Sequence, residues 1–244
     1  EVTLIGGESY LRDDWSQIAA AVVGAGMQCS LVTGGRGFHD GRVRAARAAG
    51  VSTVCVSIDG LEPAHDTLRA VPGSWRAAID AIRNTASAGM TATVNTQIHQ
   101  RNRHTLLALG EALIDAGAKA WQLQLTTPMG RAADQDRLIL QPFDLLELLP
   151  ELARIADILR PKGLQLNIAN NLGYFGPHEA SLRAGSHWIG CTGGRWSLGI
   201  QADGVIKACG SLPTAAYGDM SLMTHSLAEI LAQSEAVKSV TERT

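Results

Sequence analysis

Short apolar segments alternate with segments of helical periodicity up to about residue 170, and this alternation limits the possible folds of the chain more than any other feature. Between the apolar segments, hydrophobic residues recur three and four positions apart, which is typical of helices with one buried face. Strands that alternate with helices form parallel sheets with right-handed crossovers. The sequence therefore predicts an α/β fold, either a barrel or a doubly wound sheet. The apolar segments cover residues 2–5, 29–33, 53–58, 92–98, 120–125 and 164–169.

The pattern changes in the last third of the chain. Residues 170–194 are rich in Gly, Asn, His and aromatic residues and lack helical spacing. Two short apolar segments, 196–200 and 205–209, then flank Asp203-Gly204, a dipeptide that is typical of tight hairpin turns. We therefore predict a β-hairpin in this region.

These changes predict a second, smaller domain. We place the boundary between residues 170 and 185, and assign residues 1–175 to a barrel-like domain and residues 176–244 to a small cysteine-bearing extension. Residues 226–240, near the end of this extension, have the pattern of an exposed helix.

The composition excludes several classes of protein. The chain has 244 residues, 45% of them hydrophobic, and a formal net charge of −2, so it offers no basic surface for nucleic acid. No apolar run approaches the roughly 18 residues that a membrane-spanning helix needs, and the first residues show no signal-peptide pattern. The cysteines are too widely spaced for a small disulfide scaffold. We therefore expect a cytoplasmic protein with reduced thiols that binds neither nucleic acid nor membranes.

Glycines and carboxylates follow the first and third apolar segments. Gly6-Gly7-Glu8 would let a ligand approach the backbone, and the Glu8 carboxylate could accept a hydrogen bond from an amine or a hydroxyl. Ser57 and Asp59 lie two positions apart, on one face of a strand end. The carboxyl ends of parallel strands meet at one edge of a sheet, where ligands bind. Both motifs also fit purely structural roles, a tight turn in the first case and an Asx turn in the second.

Two neighbouring apolar segments carry amides at alternate positions. Asn95 and Gln97 lie on one face of the fourth segment, and Gln122 and Gln124 lie on one face of the fifth. In a parallel strand that is buried on both faces, polar side chains need hydrogen-bond partners. These amides either pair with one another in a core layer or face a polar ligand, and the residues alone leave both possibilities open.

Cys191 and Cys209 flank the predicted hairpin, which would bring the two thiols together. Two thiolates are half of a four-ligand metal site, and a disulfide or two free thiols fit the same pattern. Cys29 and Cys55 lie inside apolar segments, and we predict that both are buried. The histidines show none of the helical pairings that metalloenzymes use, so we expect them at the surface or at helix caps.

Together these motifs resemble those of the radical S-adenosylmethionine (SAM) enzymes that carry a C-terminal SPASM or Twitch extension. The specific matches are the segment from Ser57 to Arg69, with its Ser-Ile-Asp-Gly and His-Asp elements, and the spacing of Cys191, Gly204 and Cys209. The resemblance covers nearly the whole chain. It implies a partial (β/α)6 TIM-like barrel, beginning at the second strand of the family's barrel and followed by a β-hairpin extension. Further matches are Gly6-Gly7-Glu8, Thr33-Gly34-Gly35, Asn95 and Gly130-Arg131-Ala132.

The resemblance also implies a role for each candidate residue, whereas the residue that takes the final proton or electron stays unassigned. Gly6, Gly7 and Glu8 would contact the methionyl amino group of SAM. Ser57 and Asp59 would contact other polar groups of SAM, and Asn95 and Gln97 would line the site. The backbone around Leu123 and Gln124 would contact the adenine. Cys191 and Cys209 would bind an auxiliary iron–sulfur cluster.

Two elements of the family are not found in these 244 residues. The Cys-x-x-x-Cys-x-x-Cys loop that binds the family's 4Fe–4S cluster would precede residue 1, and the remaining cysteines of the extension would follow residue 244. We therefore expect the chain to be a fragment, or the ordered core, of a longer protein.

The activity that the resemblance implies is hydrogen abstraction from a substrate by a 5′-deoxyadenosyl radical, which forms when the cofactor is cleaved reductively. The implied substrate is a peptide or protein, as in the maturation of ribosomal peptides, and the electron donor would be a protein such as a flavodoxin or a ferredoxin. Two alternatives remain: a non-catalytic peptide-binding scaffold on a degenerate barrel, and an ordinary α/β-barrel lyase or isomerase that uses Asp59 and a histidine.

Overall fold

The computed structural model describes residues 1–184 and 190–241 of the chain. The chain divides into two compact units between residues 187 and 188. The predicted extension over residues 176–244 includes 185–189 and 242–244, which lie outside the described residues. The assignment of this extension to a known type of domain stays a prediction.

The first unit is built on a six-stranded parallel sheet. Its strands have the same order in the sheet as in the chain, so each strand pairs with the next one after a crossover. Within the described residues β1 and β6 do not pair with each other, so the sheet forms an open, partial barrel. This architecture confirms the predicted α/β fold. The strands are β1 (Val2–Leu4), β2 (Cys29–Thr33), β3 (Thr53–Ser57), β4 (Thr91–Ile98), β5 (Ala120–Leu125) and β6 (Gln165–Ile168).

Helices connect the strands and cover one face of the sheet. Among the described residues, no helix combines the length and the apolar character needed to cross a membrane. The helices of this unit are α1 (Trp15–Gly24), α2 (Asp40–Ala48), α3 (Glu62–Arg69), α4 (Ser74–Ser87), α5 (Leu106–Ala116), α6 (Leu145–Leu159) and α7 (Glu179–Leu182).

The start of α4 depends on a residue of the preceding helix. Ser74 is a residue type favoured at N-caps, but it is the first helical residue here, and Gly73 takes the cap position with a φ of +79°. The Ser74 hydroxyl donates to Asp66 Oδ1 at 2.9 Å, and the Trp75 N–H donates to the same oxygen at 2.8 Å. Asp66 of α3 therefore supplies the hydrogen bonds that a capping side chain would make.

The face of the sheet that packs against the helices is apolar. Along β4, buried residues alternate with exposed or half-buried ones, because successive side chains of a strand point to opposite faces. Val94 and Ile98 are buried on the helix side with Trp121 and Leu123 of β5. The one polar residue of β4 on this side, Thr96, accepts a hydrogen bond from Trp121 Nε1–H at 2.8 Å. Burial of each large apolar side chain contributes roughly 1.5–3 kcal/mol, so this face fixes the register of the strands.

The second unit contains the predicted hairpin. β7 (Gly199–Ile200) pairs with β8 (Ile206–Lys207) in antiparallel fashion. Gly204, in the turn, has a φ of +79°, and a Cβ at this position would lie 2.8 Å from Ser221 Oγ. Both the backbone conformation and the close contact therefore favour glycine here.

The exposed helix predicted over residues 226–240 is two helices with a partly buried side. Ser234 separates them, since its hydroxyl donates to Asp219 Oδ1 at 2.5 Å and accepts from the Val237 N–H at 3.0 Å. Ile230 and Val237 are buried in a small apolar core. The helices of this unit are α8 (Thr214–Tyr217), α9 (Leu227–Gln233) and α10 (Glu235–Thr241).

Candidate functional site

Gly6 and Gly7 follow β1 at the carboxyl edge of the sheet. Their φ angles are +100° and +50°, in the region that favours glycine. A Cβ at either position would meet no atom within 4 Å, so this stretch of backbone borders open space. A ligand can therefore approach the backbone here, which is the property that the predicted cofactor-binding role requires.

The end of β2 holds the Glu8 carboxylate in place. Oε1 accepts from the backbone N–H of Gly34 at 2.9 Å, and Oε2 accepts from the Thr33 hydroxyl at 2.5 Å. A carboxylate has about four lone pairs, so Glu8 retains the capacity to accept further hydrogen bonds from an ammonium group. A half-buried carboxylate fixed in this way, next to open backbone, fits the amino group of an amino acid such as the methionyl part of SAM.

Tyr10 helps to hold Thr33, a partner of Glu8, in place, and no sequence motif indicated this role. Its ring is buried against Phe38, with 5.4 Å between the ring centroids, and the Arg42 guanidinium lies 4.6 Å from the centroid of the Tyr10 ring. The hydroxyl donates to the Arg36 carbonyl at 2.7 Å and lies 2.9 Å from Thr33 Oγ1. Burial raises the pKa of Tyr10 above its usual value, so the phenol is neutral and serves as a fixed support for Thr33.

Asp59 joins the ends of β3 and β4. Its buried carboxylate accepts from Arg69 Nη2 at 2.5 Å through Oδ2 and from the Gln97 N–H at 2.9 Å through Oδ1. Its backbone N–H donates to His65 Nδ1 at 2.9 Å, and its carbonyl accepts from Asn102 Nδ2 at 3.1 Å. Each polar group of Asp59 thus has a protein partner, which supports a structural role. Its contact with a cofactor stays a prediction.

The histidines were expected at the surface or at helix caps, whereas His65 and His99 are buried, each 1% exposed, and His65 lies inside α3. Burial lowers the pKa of both imidazoles, because the charged form is poorly solvated there. His65 Nδ1 acts as a cap for the Asp59 N–H, whereas His99 Nε2 has no hydrogen-bond partner in the described part of the chain. A general base must reach its substrate, and the Asp59 side chain is only 4% exposed and His65 only 1% exposed, so neither presents an accessible lone pair.

Four polar side chains lie side by side across the open face of the sheet. Ser57 of β3 pairs in register with Asn95 of β4, Asn95 with Gln122 of β5, and Gln122 with Asn167 of β6. We call these four residues the polar row. Two residues further along these strands, Gln97 of β4 pairs in register with Gln124 of β5.

The polar row does not form the internal core layer that was one of the two possibilities for the strand amides. Within the described residues, the side chains of the row make no hydrogen bond to protein, and the same holds for Gln97 and Gln124. All of them are half-buried or exposed. The side chain of Leu123 is fully buried on the helix face, and its carbonyl accepts from the Ala169 N–H at 2.8 Å. The strand amides therefore face the open side, where a polar ligand can reach them.

Cys191 and Cys209 lie close together in the second unit. A Cβ at Gly193 would be 3.5 Å from Cys191 Sγ and 3.3 Å from Cys209 Cβ. Both thiols are free, and the described residues contain no group of three or more His, Cys, Asp or Glu side chains that could hold a metal ion. The pair fits half of a thiolate site. In the first unit, Cys29 is buried as predicted, whereas Cys55 is half-buried and lies on the open face.

Comparison with known proteins gives distant relatives. No protein-family model matches the chain. An AdoMet-dependent heme synthase of Methanosarcina barkeri is 26% identical over 232 residues, which cover 87% of this chain and 63% of the relative. The sporulation killing factor maturation protein SkfB of Bacillus subtilis is 24% identical over 209 residues, which cover 86% of this chain and 48% of SkfB. The chain therefore spans less than two thirds of the length of these relatives.

Solved structures share the fold. The crystal structure of Streptococcus suis SuiB bound to S-adenosylmethionine has a TM-score of 0.75 at 14% identity, covering 98% of this chain and 56% of SuiB. SuiB bound to the precursor peptide SuiA has a TM-score of 0.73. At this level of identity the likeness to SuiB is one of fold, and the relatives named above supply the likeness of sequence. By sequence the chain is similar to the AdoMet-dependent heme synthase and to SkfB, and by fold it is similar to SuiB, in agreement with the resemblance to radical SAM enzymes.

Proposed function

We propose that the protein containing this chain is a radical SAM enzyme that modifies a peptide or protein. The observation that carries the proposal is the Glu8 carboxylate, which Thr33 and Gly34 hold beside the open backbone of Gly6 and Gly7. SAM held by these residues would supply, together with a 4Fe–4S cluster, the radical chemistry that removes hydrogen from the substrate.

In this proposal the residues of the chain bind and orient SAM. Glu8 accepts hydrogen bonds from the methionyl ammonium group, because its lone pairs are not all used by Thr33 and Gly34. Ser57 and Asn95 meet further polar groups of SAM with side chains that have no protein partner among the described residues. Asp59 acts by holding the strand ends. Near the carboxyl ends of β4 and β5, the site is lined by Gln97, Gln124 and the backbone around Leu123. The backbone around Leu123 and Gln124 is the predicted adenine contact.

The predicted extension takes a supporting role. Residues 1–175 form the catalytic barrel and residues 176–244 a SPASM or Twitch extension, in which Cys191 and Cys209 contribute to an auxiliary iron–sulfur cluster. The nearness of the two thiols around Gly193 supports this assignment. Free, reduced cysteines also suit the cytoplasm, where a flavodoxin or ferredoxin would donate the electron. Neither nucleic acid nor a membrane takes part.

A peptide or protein substrate is favoured over a tetrapyrrole by one sequence relative and one protein of the same fold. SkfB is a maturation protein for a sporulation killing factor, and SuiB has been crystallised with a precursor peptide. The heme synthase of Methanosarcina barkeri is a relative of the other kind. The alternative of an ordinary lyase or isomerase is less well supported, because the Asp59 carboxylate is already paired with Arg69 and Gln97.

The test uses the full-length protein, reconstituted anaerobically, and the variant Glu8→Gln. We expect wild type to form 5′-deoxyadenosine. The variant should bind SAM about tenfold to a hundredfold more weakly, since a hydrogen bond to a charged group is worth about 1.5–3 kcal/mol. Equilibrium dialysis with labelled SAM measures the binding. Glu111→Gln is the matched control, because Glu111 is an exposed glutamate paired with Lys162.

Two results would contradict the proposal. One is the absence of 5′-deoxyadenosine from protein with an intact cluster, which would favour the non-catalytic scaffold. The other is equal SAM affinity in Glu8→Gln and Glu111→Gln, which would remove Glu8 from the binding site.

A further inference from the structure

The open face of the sheet is polar without being charged. None of the residues in β1 to β6 is Asp, Glu, Lys, Arg or His. The polar row crosses β3 to β6 at one level, with one hydroxyl and three carboxamides facing the same side. Because neighbouring strands are about 4.8 Å apart, the row presents hydrogen-bonding groups at regular intervals over about three strand spacings.

These side chains are available to a ligand. Within the described residues they make no hydrogen bond to other protein groups. Their neighbours on the same strands, Trp121 and Leu123 of β5, are fully buried on the helix face. Polar groups at such positions keep their hydrogen bonds either to water or to a bound molecule. A ligand with matching groups that binds to the polar row therefore displaces only water from these side chains.

The chemistry of the row selects among ligands. A carboxamide has two donors and an acceptor and carries no charge, which matches the N–H and C=O groups of a peptide chain. A substrate with several carboxylates would need Arg or Lys side chains for tight binding, and the strands offer none. Arg69, at the end of α3, is committed to Asp59. Charge complementarity thus favours a neutral, amide-bearing occupant of this face.

We propose that Gln122 and Asn167 position the substrate, and that the part of the substrate they contact is an uncharged stretch of peptide. This inference rests on the proposed function and adds the residues that determine the substrate class. Gln122 and Asn167 lie on β5 and β6, whereas Glu8, Ser57 and Asn95, which are assigned to SAM, lie at β1, β3 and β4. The predicted adenine contact around Leu123 and Gln124 lies further along β5. The two residues are positioning residues and take no part in the transfer of hydrogen.

The experiment measures which peptides the full-length protein retains. The probe is a pool of short peptides, acetylated and amidated at their ends, that vary in charge, and coproporphyrin III serves as a carboxylate-rich comparison. The variants are Gln122→Glu and Asn167→Asp, which keep the shape of each side chain and add a negative charge. Gln165→Glu is the matched control, because Gln165 lies two residues before Asn167 on β6, on the same face but outside the row.

We expect wild type to prefer uncharged peptides to coproporphyrin III. The two row variants should bind neutral peptides about tenfold more weakly and shift the retained pool towards peptides rich in Lys and Arg, while Gln165→Glu behaves as wild type. A simple loss of structure would not produce the shift in charge. Asn167 is exposed, so Asn167→Asp carries the test if Gln122→Glu fails to fold.

Three results would overturn the inference: a preference for coproporphyrin III, no retention of peptides by wild type, or the same retained pool in wild type and in both row variants. SAM binding, measured separately by equilibrium dialysis, keeps the two proposals apart. Normal SAM binding with an unchanged peptide pool counts against the row alone. Failure to bind SAM counts against the proposed function, and the peptide pool still reports on the row.

Discussion

Replacing Asp59 by Asn should destabilise the first unit by about 2 kcal/mol. The Asp59 side chain is 4% exposed and that of Arg69 is 36% exposed. An Asn can still accept from the Gln97 N–H, but its amide N–H2 then faces the guanidinium, so one charge-assisted hydrogen bond of roughly 1.5–3 kcal/mol is lost. The loss stays below the 3–5 kcal/mol typical of broken, fully buried ion pairs, because Arg69 regains contact with water.

Urea unfolding followed by tryptophan fluorescence measures this loss, since Trp121 is fully buried in the same unit. With a denaturant slope of about 2 kcal/mol per molar, the midpoint should fall by about 1 M. Asp80→Asn is the control: the Asp80 side chain is 64% exposed and lies 3.5 Å from Arg83, so its removal should cost no more than about 0.5 kcal/mol. Equal midpoints for the Asp59 and Asp80 variants would refute the reasoning.

A double-mutant cycle then assigns the loss to the ion pair. If the Arg69 contact is the cause, Asp59→Asn should cost less in an Arg69→Met background than in wild type. The same cost in both backgrounds would show that the stabilising contact of Asp59 is its hydrogen bond from Gln97 instead.

Two further predictions concern buried groups. Burial lowers the pKa values of His65 and His99 in the folded state, so the unfolded chain takes up protons first as the pH falls below about 6.5. The free energy of unfolding should therefore be highest above that pH and decline towards about pH 5. Urea midpoints that stay constant across this range would contradict the prediction. A Cβ at Gly110 would lie 2.3 Å from Cδ1 of the buried Leu159, so Gly110→Ala should lower the free energy of unfolding by about 1–3 kcal/mol. Thermal unfolding measures the effect. The control is Gly24→Ala, where a Cβ meets no atom within 4 Å, and this variant should be neutral or slightly stabilising. Equal melting temperatures for the two glycine variants would count against the packing argument.

Most of the sheet was readable from local sequence, because each strand carries its own apolar pattern. β2 and β5 begin and end where the pattern predicts. α3 was not predicted, since its sequence has little apolar periodicity and its buried residue is His65. Helices whose inner face is polar leave no periodic signal, and they become visible only when the partner of the polar group, here the Asp59 N–H, is known.

The candidate site was readable in part. Gly6-Gly7-Glu8 is a local motif, so the sequence displays it. The groups that hold Glu8 come from the end of β2, and its contacts with Thr33 and Gly34 join residues 25 and 26 positions apart in the chain. Such contacts depend on the order of the strands in the sheet and on their register. Neither can be read from a single sequence. The polar row is a product of register in the same sense, since its members look unrelated until the strands are aligned.

The order of the strands would separate the proposed cofactor contacts from the proposed substrate contacts on one face. Because chain order and sheet order are the same, Glu8 at β1 and the Ser57–Asn95 pair at β3 and β4 are two to three strands apart, which is about 10–14 Å. An elongated molecule anchored by its ammonium group at Glu8 would span that distance, would meet β5 only around Leu123 and Gln124, and would leave β6 uncovered. The far half of the polar row, Gln122 and Asn167, therefore lies beyond Ser57 and Asn95 at the same level of the sheet. A substrate held there is next to the cofactor without competing for its ligands, which is the arrangement that hydrogen transfer between two bound molecules requires.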